Sequence, residues 1–176
     1  PIYDAQVIIV MNRFLDQLKI KNLITEINSL GCKSCRLNYR KKLVTFYKEK
    51  KSKLCKNCER RLIVNPLRLL DCKEVGCIEL KKDAPVILDT LCRTCGAHFK
   101  EVLEFLEEMK IPYRLNHYLV RGLDYYNRTV FEIFSDALPA SVDRPLALAS
   151  GGRYDFLGEM LGHRAVSAVG GAAGME

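Results

Sequence analysis

The sequence predicts an α+β fold in which strands and flanking helices lie on both sides of a mostly helical, cysteine-rich middle segment. Three observations carry this. Apolar residues fill 48% of the 176 positions, enough for one sizeable core or two small ones. Helix-period and strand-period patterns follow one another on both sides of the middle segment. All eight cysteines lie between residues 32 and 95.

The elements follow in order. Residues 4–18 are apolar on nearly every face, through Ala5, Val7, Ile8, Ile9, Val10, Met11, Phe14, Leu15 and Leu18, and read as a buried helix with Asp4 as its N-cap. Leu23, Thr25 and Ile27 alternate with Ile24 and Glu26, a short strand that runs into a turn at Asn28-Ser29-Leu30-Gly31. Residues 36–50 read as a helix with Leu37, Leu43, Val44, Phe46 and Tyr47 inside. Residues 56–63 read as another, stopped near Asn65-Pro66. Asp83-Ala84-Pro85 has the cap and early proline of a helix start. Phe99, Val102, Leu103 and Leu106 mark a one-sided helix ending near Lys110, and Pro112 turns the chain into extended structure. Residues 129–134 and 146–149 form an antiparallel hairpin around a loop at 135–145. Tyr154, Leu157 and Leu161 suit a short helix. In order, 1–31 read as a helix and a strand, 32–110 as a mostly helical segment that holds the cysteines, and 111–176 as strands.

The cysteines fall in four local pairs: Cys32/Cys35, Cys55/Cys58, Cys72/Cys77 and Cys92/Cys95. Two residues between thiolates suit a knuckle whose sulfurs converge on one tetrahedral ion, so one or two structural zinc sites are expected. Nearest-neighbour grouping joins the first two pairs and the last two, although spacing alone leaves the pairing open. Glycines beside the knuckles (Gly31, Gly76, Gly96) permit the turns. A disulfide framework is the competing reading. His98 could replace a thiolate, but more often such a residue packs on its helix. Four-thiolate zinc has no open position for substrate, so no catalytic metal is expected here.

Charge is uneven. Residues 32–100 carry 18 basic and 7 acidic groups, whereas 101–176 carry 7 and 11. The basic run Lys48, Lys50, Lys51, Lys53 and Lys56 suggests a polyanion contact; the bland alternative is a solvated helix end. No stretch approaches the ~18 apolar residues of a membrane span. Pro1-Ile2-Tyr3 opens without Met, and Gly170 to Glu176 stops where a glycine-rich turn is expected to open a helix. Both ends read as cuts in a longer protein.

Two segments carry further chemistry. Arg121-Gly122-Leu123-Asp124-Tyr125-Tyr126 puts a fixed positive charge, a permissive glycine and two phenols together. Gly151-Gly152-Arg153-Tyr154-Asp155 adds close backbone approach, another arginine and another phenol. In this order they resemble the two histidine-specific signatures of histidyl-tRNA synthetase. Asn65-Pro66-Leu67-Arg68, Leu70-Asp71-Cys72-Lys73 and Ala97-His98-Phe99 also look like segments of that family. The resemblance implies a class II antiparallel sheet with flanking helices, interrupted by an insertion that helps hold the tRNA acceptor arm. It implies ATP with Mg2+, L-histidine and tRNA(His) as substrates, a homodimer, and a cytoplasmic protein.

By position in the motif, the resemblance makes Arg121 the group that stabilises charge on the α-phosphate. It places Tyr126 and Tyr154 against the substrate imidazole, with Tyr125 nearby. Gly151 and Gly152 would let the strand lie against histidine, and Gly122, Asp124 and Arg153 would support the site. Three positions depart from the family: Phe156 stands where a glycine is usual, and Gly171 and Ala173 replace bulkier residues, which should loosen packing. The arginines of motifs 2 and 3 and the dimer-forming motif 1 are not among these residues, so the fragment alone is expected to be inactive. Two rival readings are a zinc-knuckle nucleic-acid-binding module and a non-catalytic regulatory subunit of histidine biosynthesis built on the same fold.

Overall fold

The structure, a computed structural model, describes residues 1–122, 125–136 and 147–174. Helix α1 (Ile2–Gln17) leads to strand β1 (Leu23–Ser29). Four helices follow: α2 (Lys33–Lys48), α3 (Lys56–Val64), α4 (Val75–Lys82) and α5 (Arg93–Glu108). The chain closes with β2 (Tyr113–Leu115), β3 (Asn127–Ser135), β4 (Ala149–Arg153), the one-turn α6 (Leu157–Met160) and β5 (Val169–Ala173). Short 3-10 turns sit at Lys51–Lys53, Pro66–Leu69 and Ile87–Thr90.

The strands form one sheet in the order β2-β1-β3-β4-β5. It is antiparallel except at its edge, where β2 runs parallel to β1. Side chains alternate across it. Ile27, Phe131, Ile133 and Ala149 pack beneath α1 and α5, against Ala5, Ile8, Leu15, Phe99, Val102 and Leu106. The other face meets the insertion, whose own core gathers Tyr39, Leu43, Tyr47, Leu62, Leu69 and Leu70 with Leu30, Tyr126 and Val130. Helix α5 serves both parts: its N-cap is Cys92, its first turn carries Cys95, and the rest lies on α1. Among the described residues no helix is long and apolar enough to cross a membrane.

Several expectations are corrected. Helix α1 buries one face (Asp4, Ala5, Ile8, Asn12, Leu15) and exposes Tyr3, Val10, Phe14 and Leu18. Leu37 is 59% exposed, while Tyr39 is fully buried and donates its hydroxyl to the Pro85 carbonyl. Asp83-Ala84-Pro85 opens no α-helix: Asp83 ends the unforeseen α4, and the chain stays irregular so that Cys92 can start α5. The second hairpin strand begins at Ala149 and runs through the glycines; Leu146 lies outside the described residues. Residues 169–173 form β5, not a turn into a helix. A Cβ on Gly171 would meet Phe131 at 3.1 Å and Met11 at 3.2 Å, so the space at this departure is filled rather than loose.

Asp4 caps nothing. It is wholly buried in the first turn of α1. Its carboxylate accepts the Thr129 hydroxyl at 2.6 Å and a fork from Arg153, through Nε at 3.1 Å and through Nη2. Arg153 also donates to Asp155 at 2.9 Å. Burial opposes ionisation of Asp155, but bonds from Asn127, the Ala168 amide and Arg153 outweigh it and hold its carboxyl below the usual range. His98 sits 3.5 Å from Asp4. Burial lowers its pKa to about 4; Asp4 opposes that shift, while Arg128 and Arg153 favour it.

Asp4→Asn strands a buried guanidinium beside a neutral amide and should cost about 3 kcal/mol in urea unfolding; a loss under roughly 1 kcal/mol would contradict the buried pair. His98 sets a pH slope. Its folded-state pKa lies below the ~6.5 of an exposed imidazole, so the unfolded chain takes the proton more readily. The stability this neutral histidine confers is complete above that value and is lost as pH falls towards 4. His98→Phe should flatten the dependence of Tm on pH across that window; an unchanged slope would argue against the neutral buried imidazole.

Candidate active site and metal centres

Register places one row of residues on the insertion-facing side of the sheet: Arg114, Glu26, Glu132, Ser150 and Ala172, one from each strand. Arg114 pairs with Glu26 at 2.6 Å, and Asn116 donates to the same carboxylate at 2.5 Å. From the loop before β3, Arg121 donates Nη1 to Glu132 at 2.6 Å and Nη2 to Ser150 at 3.1 Å. Its guanidinium carbon lies 5.5 Å from the Tyr126 ring centre, and its buried Nε has no partner among the described residues. The fork is therefore fixed in direction while one polar edge stays unsatisfied.

Three phenols meet beside it. Tyr125 and Tyr126 lie 4.7 Å apart, and Tyr154 stands edge-on to both at 5.9 and 6.1 Å. Together with Arg121, Ser150 and Leu157 they line a cavity of about 310 Å³. Room for the rings comes from the glycines. A Cβ on Gly152, at φ +156°, would come within 3.1 Å of Tyr126, and one on Gly170 within 2.7 Å of the Tyr154 hydroxyl. Gly151 answers a different need: a Cβ there would strike Phe131 and the β5 backbone, at 2.8 and 2.3 Å. Arg153 does not reach the cavity; alternation turns it to the α1 side, onto Asp4. Gly122 lies near Arg68, and Asp124 lies outside the described residues. Sequence reasoning missed Glu132 and Ser150 as partners of Arg121. Between Leu119 and Phe134 the sequence holds only two acids, Asp124 and Glu132, which marks Glu132 as a candidate; Ser150 gave no signal.

All eight cysteines are free, which removes the disulfide framework. They converge in two groups, each with its sulfurs within 4.8 Å of one another: Cys32, Cys35, Cys92, Cys95, and Cys55, Cys58, Cys72, Cys77. The nearest-neighbour grouping is thus wrong. The first and last pairs close the neck of the insertion, and the middle pairs close its tip. Sulfurs around tetrahedral zinc lie about 3.8 Å apart. Cys32 and Cys35 stand at 3.6 Å, Cys55 and Cys72 at 3.9 Å.

Helix geometry primes the thiols. Cys32, Cys55 and Cys92 occupy N-cap positions. The Cys35 amide lowers Cys32 to about 7, and the Cys95 amide lowers Cys92. Burial pushes Cys95 up to about 12 and raises Cys35, Cys58 and Cys77. Four thiolates cannot ionise together at such spacing without a cation, so the donor set suits a soft divalent metal. His98 belongs to neither group.

Lys48, Lys51, Lys53 and Lys56 are exposed, whereas Lys50 lies over the Phe46 ring at 3.6 Å. A second basic surface went unread. Lys33, Arg36 and Arg40 line a groove of about 390 Å³ between α2 and the end of α3.

The sequence profile of the family described as histidyl-tRNA synthetase matches residues 73–176. The histidine–tRNA ligase of Thermodesulfovibrio yellowstonii is 49% identical over 173 residues, covering 98% of this chain and 40% of that protein. That of Nitratidesulfovibrio vulgaris is 49% identical over 177 residues, covering 100% and 42%. Apo S. aureus histidyl-tRNA synthetase superposes with a TM-score of 0.76 at 31% identity, over 98% of this chain and 41% of that one. A Bacillus halodurans protein described as an ATP phosphoribosyltransferase regulatory subunit/histidyl-tRNA synthetase reaches 0.57 at 23% identity, over 97% and 47%, a likeness of fold alone. The chain spans less than half the length of these curated relatives. The matched profile covers more than half of the chain and includes both arginine–phenol segments, and the chain belongs to the histidyl-tRNA synthetase family.

Proposed function

We propose that these residues form the histidine-binding part of a histidine–tRNA ligase. The observation that carries the reading is the convergence of Arg121, Tyr125, Tyr126 and Tyr154 on one cavity. The imidazole lies among the phenols, with the Tyr126 and Tyr154 hydroxyls meeting its donor and acceptor edges. The histidine carboxylate attacks the α-phosphorus of Mg2+-bound ATP and pyrophosphate leaves. Arg121 meets the charge that builds on the phosphate oxygens. The adenylate then esterifies tRNA(His). Glu132 and Ser150 aim the guanidinium so that little reorganisation is needed during reaction.

In this reading residues 32–110 are the insertion, with α5 as its return limb, and the exposed lysines near its tip face the acceptor arm. Zinc in the two thiolate groups is structural: it fixes the helix starts that surround the core of Tyr39, Leu43 and Tyr47. The whole protein works in the cytoplasm as a homodimer.

In the whole enzyme, Arg121→Ala should lower kcat for histidine-dependent ATP–pyrophosphate exchange about 10²–10³-fold with a small change in KM. Tyr126→Phe should raise the KM for histidine roughly tenfold. Wild-type kcat in the arginine variant would refute its role, and the isolated chain should show no exchange. Elemental analysis of protein purified without added metal should find two zinc per chain, one for each thiolate group; none would mean that the insertion folds on packing alone.

A further inference from the structure

The two thiolate groups differ in what they touch. The neck group sits on the first turn of α2. Cys32 is the N-cap of that helix, and the Cys92 amide donates to Cys35 Sγ at 3.1 Å, tying the start of α5 to it. Gly31, at φ +63°, lets the chain turn into the knuckle; a Cβ there would lie 2.4 Å from Cys35 Cβ.

From this turn three hydrogen bonds reach the residues that hold the phenol cavity. The Arg128 amide donates to the Gly31 carbonyl at 2.9 Å, and the Leu30 amide to the Arg128 carbonyl at 2.7 Å. Arg36 Nη1 donates to the Tyr126 carbonyl at 2.9 Å. The same turn reaches the opposite wall: Lys33 lies 4.2 Å over the Phe156 ring and pairs with Glu159 at 2.7 Å. Phe156 and Glu159 lie two and five positions after Tyr154 in the chain. Both walls of the cavity thus lean on one helical turn. The tip group makes no such bond among the described residues: the Cys55 amide donates to Cys77 Sγ within the group itself.

We infer that the neck group, and not the tip group, positions the histidine cavity: a metal held there orders the first turn of α2, and Arg36 passes that order to Tyr126. Arg36 is a positioning residue; it touches the Tyr126 carbonyl from behind and does not line the cavity. Naming histidine as the ligand rests on the reading above, whereas the mechanical link does not.

The test is amide hydrogen exchange on the zinc-loaded 176-residue chain, with zinc counted by elemental analysis. It needs no ligand, so it judges the link whether or not the cavity proves to bind histidine. Cys32→Ser should lose one zinc and speed exchange at Arg128 and its neighbours roughly tenfold, the scale of one lost hydrogen bond. Cys55→Ser should also lose one zinc yet leave those amides protected. Arg36→Ala should keep both zincs and still speed exchange there, and Arg36→Lys should restore part of the protection. If Cys32→Ser also frees the amides of Ile27 and Phe131, the sheet has opened, and Arg36→Ala alone decides. Retained protection in Arg36→Ala, or equal loosening in Cys55→Ser, overturns the inference.

Discussion

The buried carboxylate of Asp4 is the constraint on which the rest of the structure leans. A charge with no exposure must be matched within the protein, and Asp4 is matched by the Arg153 fork and the Thr129 hydroxyl. These come from β4 and β3, so one carboxylate locks α1 to two strands at once. Arg153 passes the constraint on to Asp155, which accepts from Asn127 and from the Ala168 amide beside β5. Asn127 and Asp155 directly follow Tyr126 and Tyr154 in the chain. The polar network under the sheet therefore sets where the two phenols leave it on the other side.

The sheet separates two kinds of polarity. Beneath it, charges are buried, mutually satisfied and structural. Above it lies a row of polar groups with room beside them: Glu26 held by Arg114, Glu132 held by Arg121, and the Ser150 hydroxyl. An arginine whose fork is already aimed, with its Nε unsatisfied, would need little reorganisation for the role proposed for it. The insertion crosses this face and returns to it, and its neck is closed by four thiols from two helix starts. The insertion, built on its own core, thus has its ends fixed beside the cavity.

What was legible in the sequence was what is local. Arg121, Tyr125, Tyr126 and Tyr154 lie in two short runs, and the resemblance of those runs to the histidine signatures is what pointed to an anion and a ring as ligands. The amphipathic pattern of α5 and the strand at β3 were equally plain. What escaped depended on long-range packing. Asp4 reads as a cap because a lone acid near a helix start usually is one; only the fold brings Arg153 to it across 149 positions. Cysteine pairing reads as sequential because spacing carries no information about which helix starts adjoin, and 57 positions separate Cys35 from Cys92. The glycines of β5 read as a turn, but they are a strand thinned to fit Phe131 on one side and Tyr154 on the other. Leu37 reads as inside yet lies exposed, with Tyr39 buried instead, because an apolar count cannot fix which face of α2 meets the insertion core.

The central claim is that the arginine–phenol cavity takes histidine. L-Histidine titrated into the isotope-labelled chain and followed by amide NMR tests it most directly. The account predicts saturable shifts confined to Arg121, Tyr125 to Asn127, Ser150 and the β5 residues Gly170 to Ala172, with imidazole alone moving fewer of them. Shifts centred on the groove between α2 and α3, or none at these residues, would contradict it.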